Sequence, residues 1–145
     1  MPQTVKEALS AATFITDDER YRLVKLDPRA ITVAAGVIAE IGQPFCALIV
    51  DRDEVTLMIP DDAVVDFAKR LREHELGETY RLITVDAELA PDLIGFMAVL
   101  SQALADAHVG VFPYAAYTRD HIMVPELQLT LALEALEQLK AEYGA

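Results

Sequence analysis

The chain says nearly the same thing twice. "YRLVKLD" at residues 21–27 returns as "YRLITVD" at residues 80–86, 59 positions later. At the same offset Gly36 answers Gly95, Ala39 answers Ala98, Ile41 answers Leu100 and Gln43 answers Gln102. Farther on, "LMIPD" at 57–61 is echoed by "IMVPE" at 122–126, now at an offset of 65. A period of roughly 60 is too long for a solenoid unit and suits a duplicated small module. The 145 residues then divide into an N-terminal arm, 1–19, a first module, 20–78, and a second, 79–145. Six residues are added in the second copy. Placed between Gln102 and Gly110, they predict a helix longer by about one and two-thirds turns.

Each copy reads as β-α-β-β-α. In the first, "YRLVKL" is a β-favouring run, and Asp27-Pro28 is a carboxylate cap followed by a first-turn proline. Ile31, Ala34, Ala35, Ile38 and Ile41 recur at helical spacing, and Gly42 and Pro44 stop that helix. "FCALIVDRDEVTLMI" is two apolar runs split by a polar tip, a hairpin. Pro60-Asp61-Asp62 opens a further helix with Val64, Phe67, Ala68 and Leu71 inward, basic at its end and closed by Gly77. In the second copy "YRLITV" is a strand and Pro91-Asp92 opens a helix with Leu93, Phe96, Met97, Leu100, Leu104 and Ala107 inward. "GVFPYAAY" and "HIMV" supply a strand pair, and Pro125-Glu126 begins the last helix.

The class is therefore α+β: two tandem ferredoxin-like βαββα modules, with antiparallel sheets and helices on one face. Each module is one strand short of a four-stranded βαββαβ sheet. The strands are apolar on both faces, so the face without helices needs cover from the other module, the arm or another subunit.

A formal charge of −12 disfavours nucleic acid and anionic membrane surfaces as partners. The single cysteine, Cys46, excludes an internal disulfide, fits a reducing cytoplasm and sits in apolar "FCALIV" as a core residue. No apolar run approaches the ~20 residues of a membrane span, and "MPQTVKEALS" does not read as a secretory signal. A cytoplasmic location follows. His74, His108 and His121 share no metal-ligand spacing, and the "DRDE" tip at 51–54 lacks a calcium loop. No cofactor motif is present.

Gly95 stands out. Near the first turn of a helix and off its core stripe, it costs up to ~1 kcal/mol relative to alanine unless something approaches the backbone there. A helix start attracts a carboxylate, and Asp86, ending the preceding strand, offers a partner for an ammonium group. The alternative is a tolerated glycine and an aspartate capping its own loop.

With this element order and the Asp86…Gly95 spacing, the chain resembles a tandem ACT-domain protein, most similar to small bacterial ACT pairs related to the CASTOR arginine sensors. The likeness covers roughly residues 20–140 and rests on "DLIGFMAVLSQALADAHVGVF", "YAAYTRDHIMVP" and "DRDEVTLMIP". It implies a regulatory fold that binds an amino acid or similar metabolite between modules or subunits, without catalysis. The matching positions are the loop from Asp86 through Ile94, Gly95 and Phe96, and the turn at Tyr117, Thr118 and Asp120, with His121 beside it. Where relatives carry Ser-Thr before that turn, this chain has Ala115-Ala116, so arginine specificity does not carry over.

The resulting expectation is a non-catalytic sensor, a homo-oligomer such as a homodimer. In it Asp86 holds the ammonium, the amides near Ile94–Phe96 the carboxylate, and Asp120 or His121 the side chain of an amino acid. The alternative is a structural protein-interaction module with no small ligand. Scattered carboxylates with no nucleophile-base spacing give an enzyme least support.

Overall fold

The computed structural model describes residues 2–144. In chain order the elements are α1 (Val5–Ala11), β1 (Thr13–Thr16), β2 (Tyr21–Leu26), α2 (Ile31–Ile41), β3 (Ala47–Val50), β4 (Val55–Pro60), α3 (Asp61–Asp66), α4 (Ala68–Leu71), β5 (Glu75–Asp86), α5 (Phe96–Asp106), β6 (Phe112–Ala115), β7 (Asp120–Pro125), a 3-10 turn (Glu126–Gln128) and α6 (Leu129–Gly144). The described residues form two compact units: Glu19–Tyr80, and a second made of those up to Asp18 together with those from Arg81 on.

In the Glu19–Tyr80 unit the strand order is β3-β4-β2-β5, all antiparallel. The missing fourth strand is the first half of β5, with Tyr21 opposite Tyr80 and Lys25 opposite Glu75. Alternation along β2 and β4 turns Val24, Leu26, Val55, Leu57 and Ile59 inward against Ala34 and Val37 of α2 and Ala63, Val64 and Leu71 of α3 and α4. Several local expectations change here. Asp27-Pro28 does not cap α2, which begins at Ile31 with an uncapped Ala30 before it. Instead the Asp27 carboxylate accepts the Arg29 amide at 2.9 Å and pairs with its guanidinium, which draws its pKa down to about 2. Ile31 and Ala35 are exposed, and Val37 takes the central buried place on the helix. The next helix breaks at Phe67 and ends at Leu71, followed by Arg72 at φ 52°. Gly77 therefore ends no helix. It lies inside β5, where an added Cβ would come within 3.3 Å of the Leu23 Cβ.

In the other unit the order is β1-β5-β7-β6. The fourth strand comes from the N-terminal arm: β1 pairs antiparallel with the second half of β5, from Thr13 opposite Asp86 to Thr16 opposite Ile83. Thr4 caps α1 by accepting the Glu7 amide at 3.1 Å, and Lys140 of α6 donates to the Ala12 carbonyl where α1 gives way to β1. Ile83, Val85, Ile122 and Val124 face a layer made by Leu9, Leu100, Leu104 and Leu136 from α1, α5 and α6. Pro113 sits in the outer strand β6, opposite Ile122 of β7.

The two units place equivalent elements at an offset of 65. α2 and α5 are both 11 residues long, starting at 31 and 96. The hairpin registers match pair for pair: Ala47 opposite Met58 becomes Phe112 opposite Met123, and Val50 opposite Val55 becomes Ala115 opposite Asp120. The added residues consequently do not lengthen α5. They lie before it, where the short connection 27–30 is replaced by 87–95. The 59-offset matches of Gly36 with Gly95 and Gln43 with Gln102 are coincidences. Gly36 is inside α2 beneath the Arg70 guanidinium, whose Nη2 lies 2.7 Å from where a Cβ would sit, whereas Gly95 precedes a helix.

On the sheet faces away from these cores, Tyr21, Met58 and Tyr80 in one unit and Leu82 and Met123 in the other are buried within the single chain. Phe45 meets Tyr21 edge-on, with ring centroids 6.0 Å apart. Among the described residues no helix is long and apolar enough to cross a membrane.

Ile83 is fully buried at the centre of its core. Ile83→Ala is expected to lower unfolding free energy by about 2–5 kcal/mol, measured by urea denaturation.

Candidate functional site

The added loop 87–95 is folded by contacts from three directions. Its start is fixed by an ion pair: Arg119 Nε donates to Asp86 Oδ1 at 3.0 Å. The Leu89 amide donates to the Thr118 carbonyl at 2.7 Å, while the Leu89 side chain enters the core. Gln3 accepts from the Ala90 amide at 2.8 Å and donates to the Glu88 carbonyl at 3.2 Å. Pro91-Asp92 forms a turn in this loop rather than starting the helix.

The helix starts four residues later, after Gly95 at φ 87° and ψ 0°. No side chain caps it, so the N–H groups of Phe96, Met97 and Ala98 begin a helix without a local acceptor. This changes the reason for the glycine. Nothing lies within 4 Å of where a Cβ would sit, so Gly95 is required by its left-handed backbone and not by a close neighbour.

Between this helix start and the β6–β7 turn lies a cleft of about 320 Å³, lined among others by Gly95, Phe96, Tyr117, Thr118, Arg119 and Asp120. Ala115 and Ala116 line it too, with methyl groups where hydroxyls were expected in relatives. The turn is tight, the Ala116 amide donating to the Arg119 carbonyl at 2.9 Å. Its counterpart in the other unit is the "DRDE" tip, where the Asp51 amide makes the matching bond to the Glu54 carbonyl at 3.2 Å and Asp51 Oδ1 also accepts the Asp53 and Glu54 amides.

Asp120 is the residue out of pattern. By register it corresponds to Val55, a fully buried core valine in the other unit. Here a carboxylate occupies that inward-turned position. Burial raises its pKa, opposed by the neighbouring His121.

The eight expected residues are thus only partly brought together. Gly95, Phe96, Tyr117, Thr118 and Asp120 share the cleft. Asp86 does not line it, its carboxylate being taken by Arg119. Ile94 is 88% exposed and points away from the lining, and Tyr117 is 90% exposed at the rim. His121 is one residue on from Asp120 in a strand and so turns to the opposite face of the sheet. There its Nδ1 meets Thr84 Oγ1 at 2.9 Å, and burial first, then Arg119, lowers its pKa against the pull of Asp120. Arg119 and Gln3 were not expected. Arg119 carried a readable signal, a cation between two expected positions with a carboxylate at a strand end to meet, but Gln3 carried none.

With this geometry in hand, residues 75–138 match the family model described as the ACT domain. That span runs from the start of β5 into α6 and contains the whole cleft. No curated protein sequence matches the chain. Among solved structures, a protein of unknown function from Vibrio cholerae, described as a possible transport protein, is 18% identical with a TM-score of 0.68, covering 91% of this chain and 92% of its own. The regulatory subunit of aspartate kinase from Thermus flavus is also 18% identical, with a TM-score of 0.64 over 89% of this chain and 98% of its own. The aspartate kinase of Clostridium acetobutylicum, an allosteric enzyme, is 10% identical with a TM-score of 0.71 over 89% of this chain and 34% of its own. These likenesses show the fold: the ferredoxin-like ACT arrangement of antiparallel strands and helices.

Two outcomes follow. Gly95→Ala, strained but unobstructed, is expected to cost about 1–2 kcal/mol in urea unfolding. Asp120 has a folded pKa above its unfolded value, so its charge opposes folding at neutral pH. Asp120→Asn is therefore expected to stabilise the unliganded chain at pH 7. The gain should shrink as pH falls through the raised pKa and vanish below the unfolded carboxylate value, near ~3.9. Thermal melts of both proteins from pH 3 to 8 check this.

Proposed function

We propose that this chain is a non-catalytic sensor that binds a free amino acid, or a similar zwitterionic metabolite, in the cleft between the start of α5 and the β6–β7 turn. The observation that carries the reading is Asp120. A carboxylate stands where the sister unit buries a valine, and it faces a cleft that also holds an uncapped helix start. The unpaired amides of Phe96–Ala98 would take a ligand carboxylate, aided by the helix dipole. Asp120 would take the ammonium, replacing Asp86 in that role because Arg119 already neutralises Asp86. Thr118 would add a hydroxyl, and Tyr117, exposed at the rim, would close over the side chain.

The ACT match and the regulatory subunit of aspartate kinase among the structural neighbours support a regulatory role. We assign the Glu19–Tyr80 unit as a second ACT-like module, making the chain a tandem pair akin to the CASTOR-related proteins, working as a homo-oligomer. In that unit the counterpart loop is short, the Asp27–Arg29 pair occupies it, and Val55 replaces the carboxylate. One module would sense and the other support. Binding energy would shift the population of module or subunit arrangements through differential affinity. The alanines at 115 and 116 favour a small or apolar ligand side chain over arginine.

Titration calorimetry with each of the twenty amino acids at millimolar concentration should find at least one that binds, and Asp120→Asn should weaken it about 10- to 100-fold. Absence of heat and of any thermal shift across the set would instead point to an interaction module without a small ligand.

A further inference from the structure

The cleft exists because loop 87–95 holds a defined shape, and that loop supplies little of its own support. Within itself it makes one backbone bond, Leu93 to Ala90 at 3.0 Å, while Ala87 reaches back to Val85 of β5 at 3.0 Å. The middle of the loop is gripped from far along the chain. The side-chain amide of Gln3 accepts the Ala90 N–H and donates to the Glu88 carbonyl, engaging backbone groups two residues apart as a neighbouring strand would. Gln3 is itself fixed. It directly precedes Thr4, the cap of α1, and α1 is rooted in the core through Ala8 and Leu9, with Ala12 just beyond it buried there too.

We infer that Gln3 is a positioning residue for the ligand cleft, and that residues 2–4 are a strap through which the N-terminal segment sets ligand affinity. The inference rests on the sensor reading for its functional half. A primary amide is the group the task requires. It must accept and donate at once, which a glutamate cannot do when ionised and an alanine cannot do at all. Asparagine lacks the reach by one methylene. The Leu89 amide's bond to Thr118 links the gripped segment to the turn that carries Asp120. Loosening at Gln3 therefore reaches both walls of the cleft, the helix start and the turn.

The experiment compares the full-length wild-type chain with Gln3→Ala and Gln3→Glu. Amide hydrogen exchange across 86–95 is followed without ligand, and amino-acid affinity is measured by calorimetry. Gln3→Ala should speed exchange at Ala90 about five- to tenfold and raise Kd by a similar factor. The exchange of the core strands β5 and β7 should not change. Gln3→Glu, which keeps the acceptor for Ala90 and loses the donor for Glu88, should fall between. Unchanged exchange at Ala90 in Gln3→Ala overturns the strap outright, as does faster exchange with an unaltered Kd. If the wild-type chain binds none of the twenty amino acids, the sensor reading falls, and Ala90 exchange alone then decides whether Gln3 holds the loop.

Discussion

Backbone pairing along β5 is the constraint from which the rest of the chain takes its form. Its first half, to Tyr80, completes the strand set of Glu19–Tyr80, and its second half, from Arg81, begins the strand set of the other unit. A single extended segment thus gives each unit a strand that units of about 60 residues need for a workable core. Sharing it removes any linker between them. In the second unit the place beside the second half of β5 is filled by β1, from the N-terminal segment. The N-terminal segment is therefore part of the unit that carries the cleft.

The order of elements was legible because periodicity reports burial directly. The short β-favouring run "YRLITV" and the helical spacing of Leu129, Ala132, Leu133, Leu136 and Leu139 leave few alternatives. The boundaries were less legible where turn chemistry imitates capping. Asp27-Pro28 and Pro91-Asp92 look like helix starts, but both are turns, one closed by Arg29 and the other held within the long loop. Gly77 looks like a stop because glycine commonly follows helices, yet it serves close strand packing against Leu23. The length of β5 was hidden for the same reason.

The location of the insertion shows how far identity matching can mislead. Four chance matches at 59 kept the second helix in step with the first and pushed the added residues beyond it. Only hydrogen-bond registers, which do not depend on residue identity, show that the step from 59 to 65 is made before Phe96. Once made there, it changes what Val55 and Asp120 mean to each other. In sequence they are unremarkable neighbours of two hairpins. In register they are the same position, solved once with a hydrocarbon and once with a carboxylate. The pairing of Asp86 with Arg119 was legible only as a cation and a strand-end carboxylate in want of partners, since their meeting depends on a hairpin folding back beside the end of another strand. The clamp by Gln3 was beyond a linear reading.

The two hairpins also differ at their outer rims. Because the Ala116 amide bonds to Arg119, register places the backbone nitrogen of Pro113 on the side turned away from β7. Its counterpart Leu48, set by the matching bond from Asp51 to Glu54, presents an N–H in the same direction. A foreign strand laid along β6 would find a donor missing midway, whereas one laid along β3 would meet an unbroken row. Proline thus makes the outer edge of β6 a poor template, whereas the outer edge of β3 keeps its donor at the same position.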